Sequence, residues 1–525
     1  MYRFAEQRLA RLTQGGIPML LRGGRVGVEK EALRVSPDGG IAQTPHPTGL
    51  GAALTHPYIT TDYSEALLEL ITPPLADITA ALEFLRDTQR FVYSQLHDEI
   101  LWATSMPCVV AGETGIPIAR YGTSNAGAMK TVYRRGLGYR YGCVMQVIAG
   151  VHFNYSFDDA LWPALRELEG DRRALRRYKD ERYFGVLRNL QRLGWLVPYL
   201  FGASPAVCKS FLNGKPTTLS EFNENTYYEP FGTSLRMGDI GYQNNRESET
   251  GIKANYDDLD AYIASLAYAI STPYPGYEKI GVVVDGEYRQ LNANILQIEN
   301  EYYSTVRPKQ ILEGNEKPIL ALGRRGVRYV ELRSLDVNAF DPLGVHEDQL
   351  RFLEALMVFC LLQDSPPISA IERGEIDYNE LAAAHRGRDP QLHLRRAGRD
   401  VALREWAEEV CEAMEGVCEL LDATTGGGVY VASLAAQKEA VRDPDRTPSA
   451  RMLAQMRETG EGFHHFARRM SLEHQRYFQS LPEDPEKTAR FRELARRSLE
   501  RQAALEAADD VPFDEYLRRY FAQGS

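Results

Sequence analysis

An α+β body followed by a helical C-terminal region is the fold class this sequence predicts, on three observations. From the start to about Leu362, short alternating stretches mix with Gly/Pro punctuation and a few helical patterns. From about Ala397 onward, apolar residues recur at three- and four-residue spacing among Ala, Leu, Glu and Arg. With 44% hydrophobic and 25% charged residues in a chain of 525, there is material for a sizeable core, and the composition is neither disordered nor membrane-like. The expected division is a body over 1–362, a connector over 363–396 and a helical region over 397–525 packed on the body.

The body opens on a segment that is charged from Arg3 onward and lacks the apolar stretch and cleavage site of a signal peptide. The two longest uncharged runs, Tyr141–Phe157 and Gly194–Cys208, fall short of the roughly 20 apolar residues a spanning helix needs. No membrane segment is expected. Lys and Arg number 61 against 72 Asp and Glu, a net charge of −11, which argues against nucleic acid or an anionic membrane as partner. The six cysteines are scattered without a CxxC pair, so neither a zinc ribbon nor a disulfide framework is expected, and a reducing, cytoplasmic setting fits.

The connector from Asp364 to Pro390 carries prolines and charges and reads as loops with one short helix. Beyond it, Gly398–Ala423, Arg451–Met470 and Thr488–Ala508 are helical in pattern, and their charged faces read as solvated surface with a packing role. Thr424–Gly428 (TTGGG) reads as an interhelical turn, since the chain has no GxxxxGK[ST] and no GxGxxG after a clear strand. His464 and His465 lie in a helical pattern without nearby carboxylates, and no metal site is expected there.

Four segments of the body concentrate polar groups on one parity, and residues two apart in a strand share a face. In Val28–Leu33 the carboxylates of Glu29 and Glu31 project together. In Thr61–Thr72, Glu65 and Glu69 are in phase under strand or helix geometry, with Asp62 just upstream. In Tyr141–Phe157, Cys143, Met145, Val147, Ala149, Val151 and Phe153 fill one parity and Gln146, His152 and Asn154 the other, an apolar-backed strand with a polar front. In Tyr329–Ser334, Glu331 and Arg333 face one way and Val330 and Leu332 the other. Each alone is also what a wet antiparallel face or a surface ion pair produces. On one curved sheet, however, Glu29, Glu31, Asp62, Glu69 and Glu331 would crowd several negative charges into one cavity. Such crowding is tolerable when divalent cations neutralise it, and hard oxygen ligands select Mg²⁺ or Mn²⁺, with His152 as a nitrogen supplement. A carboxylate nest of this kind suits phosphoryl transfer, and Arg236 and Arg333 are candidates to neutralise charge on the moving group.

Nine segments then carry a resemblance: Val28–Val35 (VEKEALRV), Leu54–Pro73, Ser105–Cys108, Tyr121–Leu137, Gln146–Phe157, Gly194–Cys208, Thr233–Tyr242, Leu296–Lys309 and Tyr329–Val345. In order along the chain, they resemble glutamate-cysteine ligase of the proteobacterial type. The likeness is strongest up to about Leu362, weakens across the connector, and returns at Thr447–Arg451 and in the final helices. It implies a fold related to glutamine synthetase, with a curved, mostly antiparallel sheet forming a funnel surrounded by helices. It also implies ATP-dependent joining of L-glutamate to L-cysteine in the cytoplasm, by an enzyme expected to be a monomer. By the same likeness, Glu29, Glu31, Asp62, Glu69, His152 and Glu331 hold Mg²⁺, with Mn²⁺ as the alternative. Arg236 and Arg333 are catalytic, and Tyr133, Leu137, Gln146, Tyr242 and Tyr303 form the substrate pocket. The doubled Tyr302-Tyr303 leaves either tyrosine open for that last position. A carboxylate-amine ligase using another amine, a related phosphotransferase, and a catalytically silent metal- or nucleotide-binding module are the rival readings.

Overall fold

The computed structural model describes residues 2–241, 252–425 and 427–524. Its centre is a seven-stranded sheet in which every pairing is antiparallel. The strands are β1 (Arg25–Val35), β2 (Ile59–Thr61), β3 (Leu67–Ile71), β4 (Ile100–Leu101), β5 (Gly150–Ser156), β6 (Val306–Lys309) and β7 (Tyr329–Asp336). They run in the order β6-β7-β5-β1-β3-β2, with β4 paired to the far end of β1. The sheet is open, and a register shift between Leu332 and Leu335 bends β7 against β5.

Strand parity decides which face meets the core. On β1, Val26, Val28 and Ala32 are buried on one side, which leaves Glu29 and Glu31 to the other. The buried side is backed by helices α1 (Ile78–Gln95), α2 (Leu175–Arg192) and α3 (Glu347–Leu362). Asp77 caps α1 by accepting from the backbone N–H groups of Thr79 and Ala80. At the start of α3, His346 and Gln349 form a reciprocal capping box. Helix α3 is apolar nearly all round because it lies between the sheet and further helices.

Two ionisable groups are interred behind the sheet. Lys30 donates to Gln89 Oε1 at 2.7 Å, and burial pushes its ammonium down to about 7. Glu354 on α3 accepts from the Tyr430 hydroxyl at 2.7 Å, and burial raises its carboxyl to about 7. For Glu354 the folded state holds a proton that the unfolded chain releases at its ordinary value of 4.5. Stability from this group is therefore fully present below pH 4.5 and is lost as pH rises through about 7. Glu354→Gln keeps an acceptor for Tyr430 without the charge. It is expected to be more stable than the parent at pH 8 by up to about 3 kcal/mol, a gain that vanishes near pH 4.5 in denaturant titrations.

The connector, read as loops with one short helix, is more ordered than that. Ala370–Arg386 is a 17-residue helix capped by Ser369, followed by the hairpin His393–Arg396/Arg399–Ala402. Its carbonyls at Ala383 and Ala384 accept from Thr233 and Ser234, so its partner lies in a distant part of the sequence. Tyr141–Phe157 is likewise not one strand: a helix ends at Tyr141, Met145–Val147 is a 3-10 turn, and β5 starts at Gly150. Glu65 sits in a turn rather than in phase with Glu69. Its carboxylate accepts from the backbone N–H groups of His46 and Arg120, both at 2.7 Å. Cys108 and Cys208, separated by 100 residues, are joined in a disulfide that scattered cysteines did not signal. Helix Glu415–Thr425 ends within the Thr424–Gly428 stretch, of which Gly426 lies outside the described residues, and helix Val429–Arg442 begins directly after it. His464 lies against Trp102 and the carbonyl of Asp38. Among the described residues, no helix is long and apolar enough to cross a membrane.

Candidate active site

The open face of the sheet floors a cavity of about 530 Å³. Register brings its acids together: Glu29 pairs with His152 across β1/β5, Glu31 with Glu69 across β1/β3, and Glu331 with both Asn154 and Arg307 across β7. The carboxylates and imidazole thus form a row perpendicular to the strands. Asp62 lies just past β2 at the more open side, 3.8 Å from Arg134.

Distances within the row are short. His152 Nδ1 is 3.1 Å from Glu29 Oε2 and 3.8 Å from Glu331 Oε1, while Nε2 is 3.6 Å from Glu31 Oε1. Asn154 Nδ2 donates to Glu29 Oε1 at 2.8 Å, and the N–H of Gly150 donates to Glu31 Oε2 at 2.5 Å. Arg333 donates to Glu331 Oε1 at 2.9 Å, and Lys309 stands 3.4 Å from Oε2.

These neighbours set the charge of each acid. Burial works against the Glu331 carboxylate, but Lys309, Arg333 and His152 overcome it and hold the group well below the usual range. Burial also opposes Glu29, where the hydrogen bond to His152 prevails and keeps it low. Glu31 is raised by burial, and the Asp62 charge adds to the rise. Glu69 is raised well above the ordinary value, by burial first and then by Glu29, Asp62 and Glu31.

The donors fit a divalent cation. One ligand atom each from Glu29, His152 and Glu331 lie within 4.8 Å of one another. His152 Nε2 and Glu331 Oε2 are buried, and neither has a hydrogen-bond partner among the described residues. Carboxylate oxygens with one imidazole suit Mg²⁺ or Mn²⁺. His152 Nε2 lies on the Glu31 side of the ring, 3.6 Å from that carboxylate, and Glu331 Oε2 faces Lys309 at 3.4 Å.

Of the residues singled out in the sequence, Glu29, Glu31, Asp62, Glu69, His152, Glu331, Arg333, Tyr133, Leu137, Gln146 and Tyr303 all line this cavity. Tyr303 donates its hydroxyl to Gln146 Oε1 at 2.8 Å, whereas Tyr302 is buried and accepts from the N–H of Ala254. Tyr242 lies outside the described residues. Arg236 does not line the cavity. It is buried behind Gly150, donating to the carbonyl of Arg333 at 2.8 Å and standing 3.9 Å from Asp336. A Cβ on residue 150 would come within 2.1 Å of its Nη2, so glycine there is what lets the guanidinium approach the strand. From that place its charge bears on Glu31 and draws that carboxyl down.

Sequence reading missed several lining residues. Arg307 and Lys309 share a parity on β6, so the rule that found Glu331 and Arg333 also finds them. Lys130 and Arg134 stand one helical turn apart on the helix Asn125–Tyr141 that carries Tyr133 and Leu137. Tyr516 and Tyr520 reach the cavity from the last helix of a region expected only to pack, and their i, i+4 spacing resembles any core stripe.

Comparisons with known proteins identify the family. A family model described as glutamate-cysteine ligase matches residues 9–382. A glutamate-cysteine ligase of Alcanivorax borkumensis is 48% identical over 521 residues, 98% of this chain and 99% of that one. One of Pseudomonas paraeruginosa is 51% identical over 496 residues, 94% of each chain. Among solved structures, the glutamate-cysteine ligase of Francisella tularensis in complex with AMP superposes with a TM-score of 0.89 at 37% identity, covering 95% of this chain and 97% of that one. A bifunctional glutathione synthetase of Pasteurella multocida shares the fold, with a TM-score of 0.72 at 24% identity over 90% of this chain and 55% of that one. By family match and by identity along nearly its whole length, this chain belongs to the glutamate-cysteine ligase family.

Proposed function

We propose that the cavity joins the γ-carboxylate of L-glutamate to the amine of L-cysteine at the expense of ATP, giving γ-glutamylcysteine, ADP and phosphate. That is the ligase activity of the family and the first step towards glutathione. The observation that carries the reading is the row of acids on the sheet, in which Glu29, His152 and Glu331 bring ligand atoms within 4.8 Å of one another beside Arg333 and Lys309. The AMP bound by the Francisella relative supports a nucleotide in a site of this fold.

Glu29, Glu31, Asp62, Glu69, His152 and Glu331 would hold Mg²⁺, or Mn²⁺. Ions bound there would screen the ATP phosphates from the carboxylate that must approach them. The γ-carboxylate is a poor electrophile until one of its oxygens has taken the terminal phosphoryl group, with ADP leaving. The cysteine amine then attacks the carbonyl carbon, phosphate departs and the nitrogen loses a proton. Arg333 stands on the sheet floor to neutralise charge on the phosphoryl oxygens. Arg236 acts at one remove, fixing the Arg333 backbone and biasing Glu31. Tyr133, Leu137, Gln146 and Tyr303 would enclose the cysteine, since tyrosine gives a rigid apolar ring and a hydroxyl for the small polar substrate. One chain holds the described residues invoked, which supports a monomer, and likeness to the family supports the cytoplasm.

The test is ADP release by purified protein with glutamate, Mg²⁺ and one amine at a time. Cysteine is expected to drive release and glycine to leave it near background. Release that ignores cysteine, or favours another amine, would replace this reading with that of a ligase of different acceptor.

A further inference from the structure

The C-terminal helix Phe513–Phe521 lies far in sequence from the strands that carry the acids and outside the segment matched by the family model, yet it closes one side of the cavity. Leu517 and Tyr520 form a small core of their own with Met129, Val132 and Leu291, separate from the main core. Met129 and Val132 belong to the helix that carries Tyr133 and Leu137. The same arm braces the start of that helix: Asp509 Oδ2 accepts from the N–H of Asn125 at 2.6 Å, and the carbonyl of Val511 accepts from Asn125 Nδ2 at 2.9 Å. At its other end, Lys317 Nζ donates to the carbonyls of Phe521 and Gln523, the favourable place for a cation on a helix. Gln523 donates back to the carbonyl of Asn315 at 2.9 Å. The helix is thus fastened to both the helix and the loop that border the cavity.

The wall it builds is unlike the sheet floor. Tyr516 and Tyr520 line the cavity together with Ile298, Leu312 and Pro318, and Leu312 is 48% exposed, an apolar side chain with open space beside it. Tyr516 is held in place by Asn315, whose Nδ2 donates to its hydroxyl at 2.7 Å. Glutamate and cysteine are small, polar and charged, and gain little from such a surface. A flat heteroaromatic ring gains stacking and burial from it. A nucleotide with its phosphates over the acid row presents one such ring.

We propose that the C-terminal helix is a wall of the active site and that Tyr516 positions the purine base of ATP. This rests on the reading of the acid row as the phosphate end of the cavity. Tyr516 acts on binding alone, so its removal falls on one substrate.

Initial rates with each substrate varied in turn test this. Tyr516→Ala is expected to raise KM for ATP about tenfold, with smaller changes in KM for glutamate and cysteine and a weaker preference for ATP over pyrimidine triphosphates. Tyr516→Phe, which keeps the ring and loses only the bond from Asn315, is expected to recover most of the ATP affinity. An ATP KM within twofold of the parent in Tyr516→Ala, or a rise confined to cysteine or glutamate, overturns the assignment. The two readings fail separately. If Glu331→Gln retains parental activity, the acid row is not the phosphate end and both fall. If Glu331→Gln is inactive while Tyr516→Ala keeps its ATP KM, only the base position falls.

Discussion

Glu331→Gln is expected to lower turnover about a thousandfold while the protein stays folded, because one substitution removes three things from the site. It takes away a buried anion whose Oε2 has no hydrogen-bond partner and which shares a 4.8 Å cluster with Glu29 and His152. It leaves Arg333 and Lys309 without the carboxylate that sets their positions. It also lowers the negative charge of the row, which weakens any divalent cation. Glutamine fits the same volume on β7, between Arg307 and Asn154, so the strand register is kept. Steady-state ADP release together with thermal unfolding separates loss of chemistry from loss of fold. A variant with turnover within tenfold of the parent would remove Glu331 from the site.

Arg333→Ala is the second large effect, expected to lower kcat at least about a hundredfold with a smaller change in KM for cysteine. The Arg333 guanidinium lies 2.9 Å from Glu331 and 3.4 Å from His152, on the sheet floor rather than in the tyrosine pocket. In the proposed reaction, charge developing on the moving phosphoryl group would have this guanidinium beside it, and the amine acceptor would be held by other residues. Arg333→Lys is expected to recover little, since a compact ammonium cannot reproduce a planar fork. Near-parental kcat in Arg333→Ala, or a defect only in cysteine KM, would assign this residue to the pocket instead.

Much of the site was legible because strand parity is a short-range rule. Glu29 with Glu31, and Glu331 with Arg333, needed only alternation within a few residues, and the sheet then aligned them. Parity failed where the backbone left the strand. Gln146 sits on a 3-10 turn, and Glu65 serves the turn that joins His46 and Arg120, so neither obeys a period of two. Arg236 was assigned a direct contact, but its place behind Gly150 depends on a tertiary approach that no local pattern encodes. The helix Ala370–Arg386 was hidden in the same way, because the groups that satisfy its end are the backbone of Thr233 and Ser234. Tyr516 shows the limit most sharply. On its own helix it is one more half-buried aromatic, and its meaning comes from Asn315 and the cavity beyond.

The convergence of distant acids into a cation-binding row is tested most directly by titrating Mn²⁺ into the folded protein, with and without ATP, and following the free ion by its electron spin resonance. The parent is expected to bind Mn²⁺, more tightly with nucleotide present, and Glu331→Gln to lose at least one equivalent. Equal binding by the parent and the variant, in number and in affinity, would contradict the account.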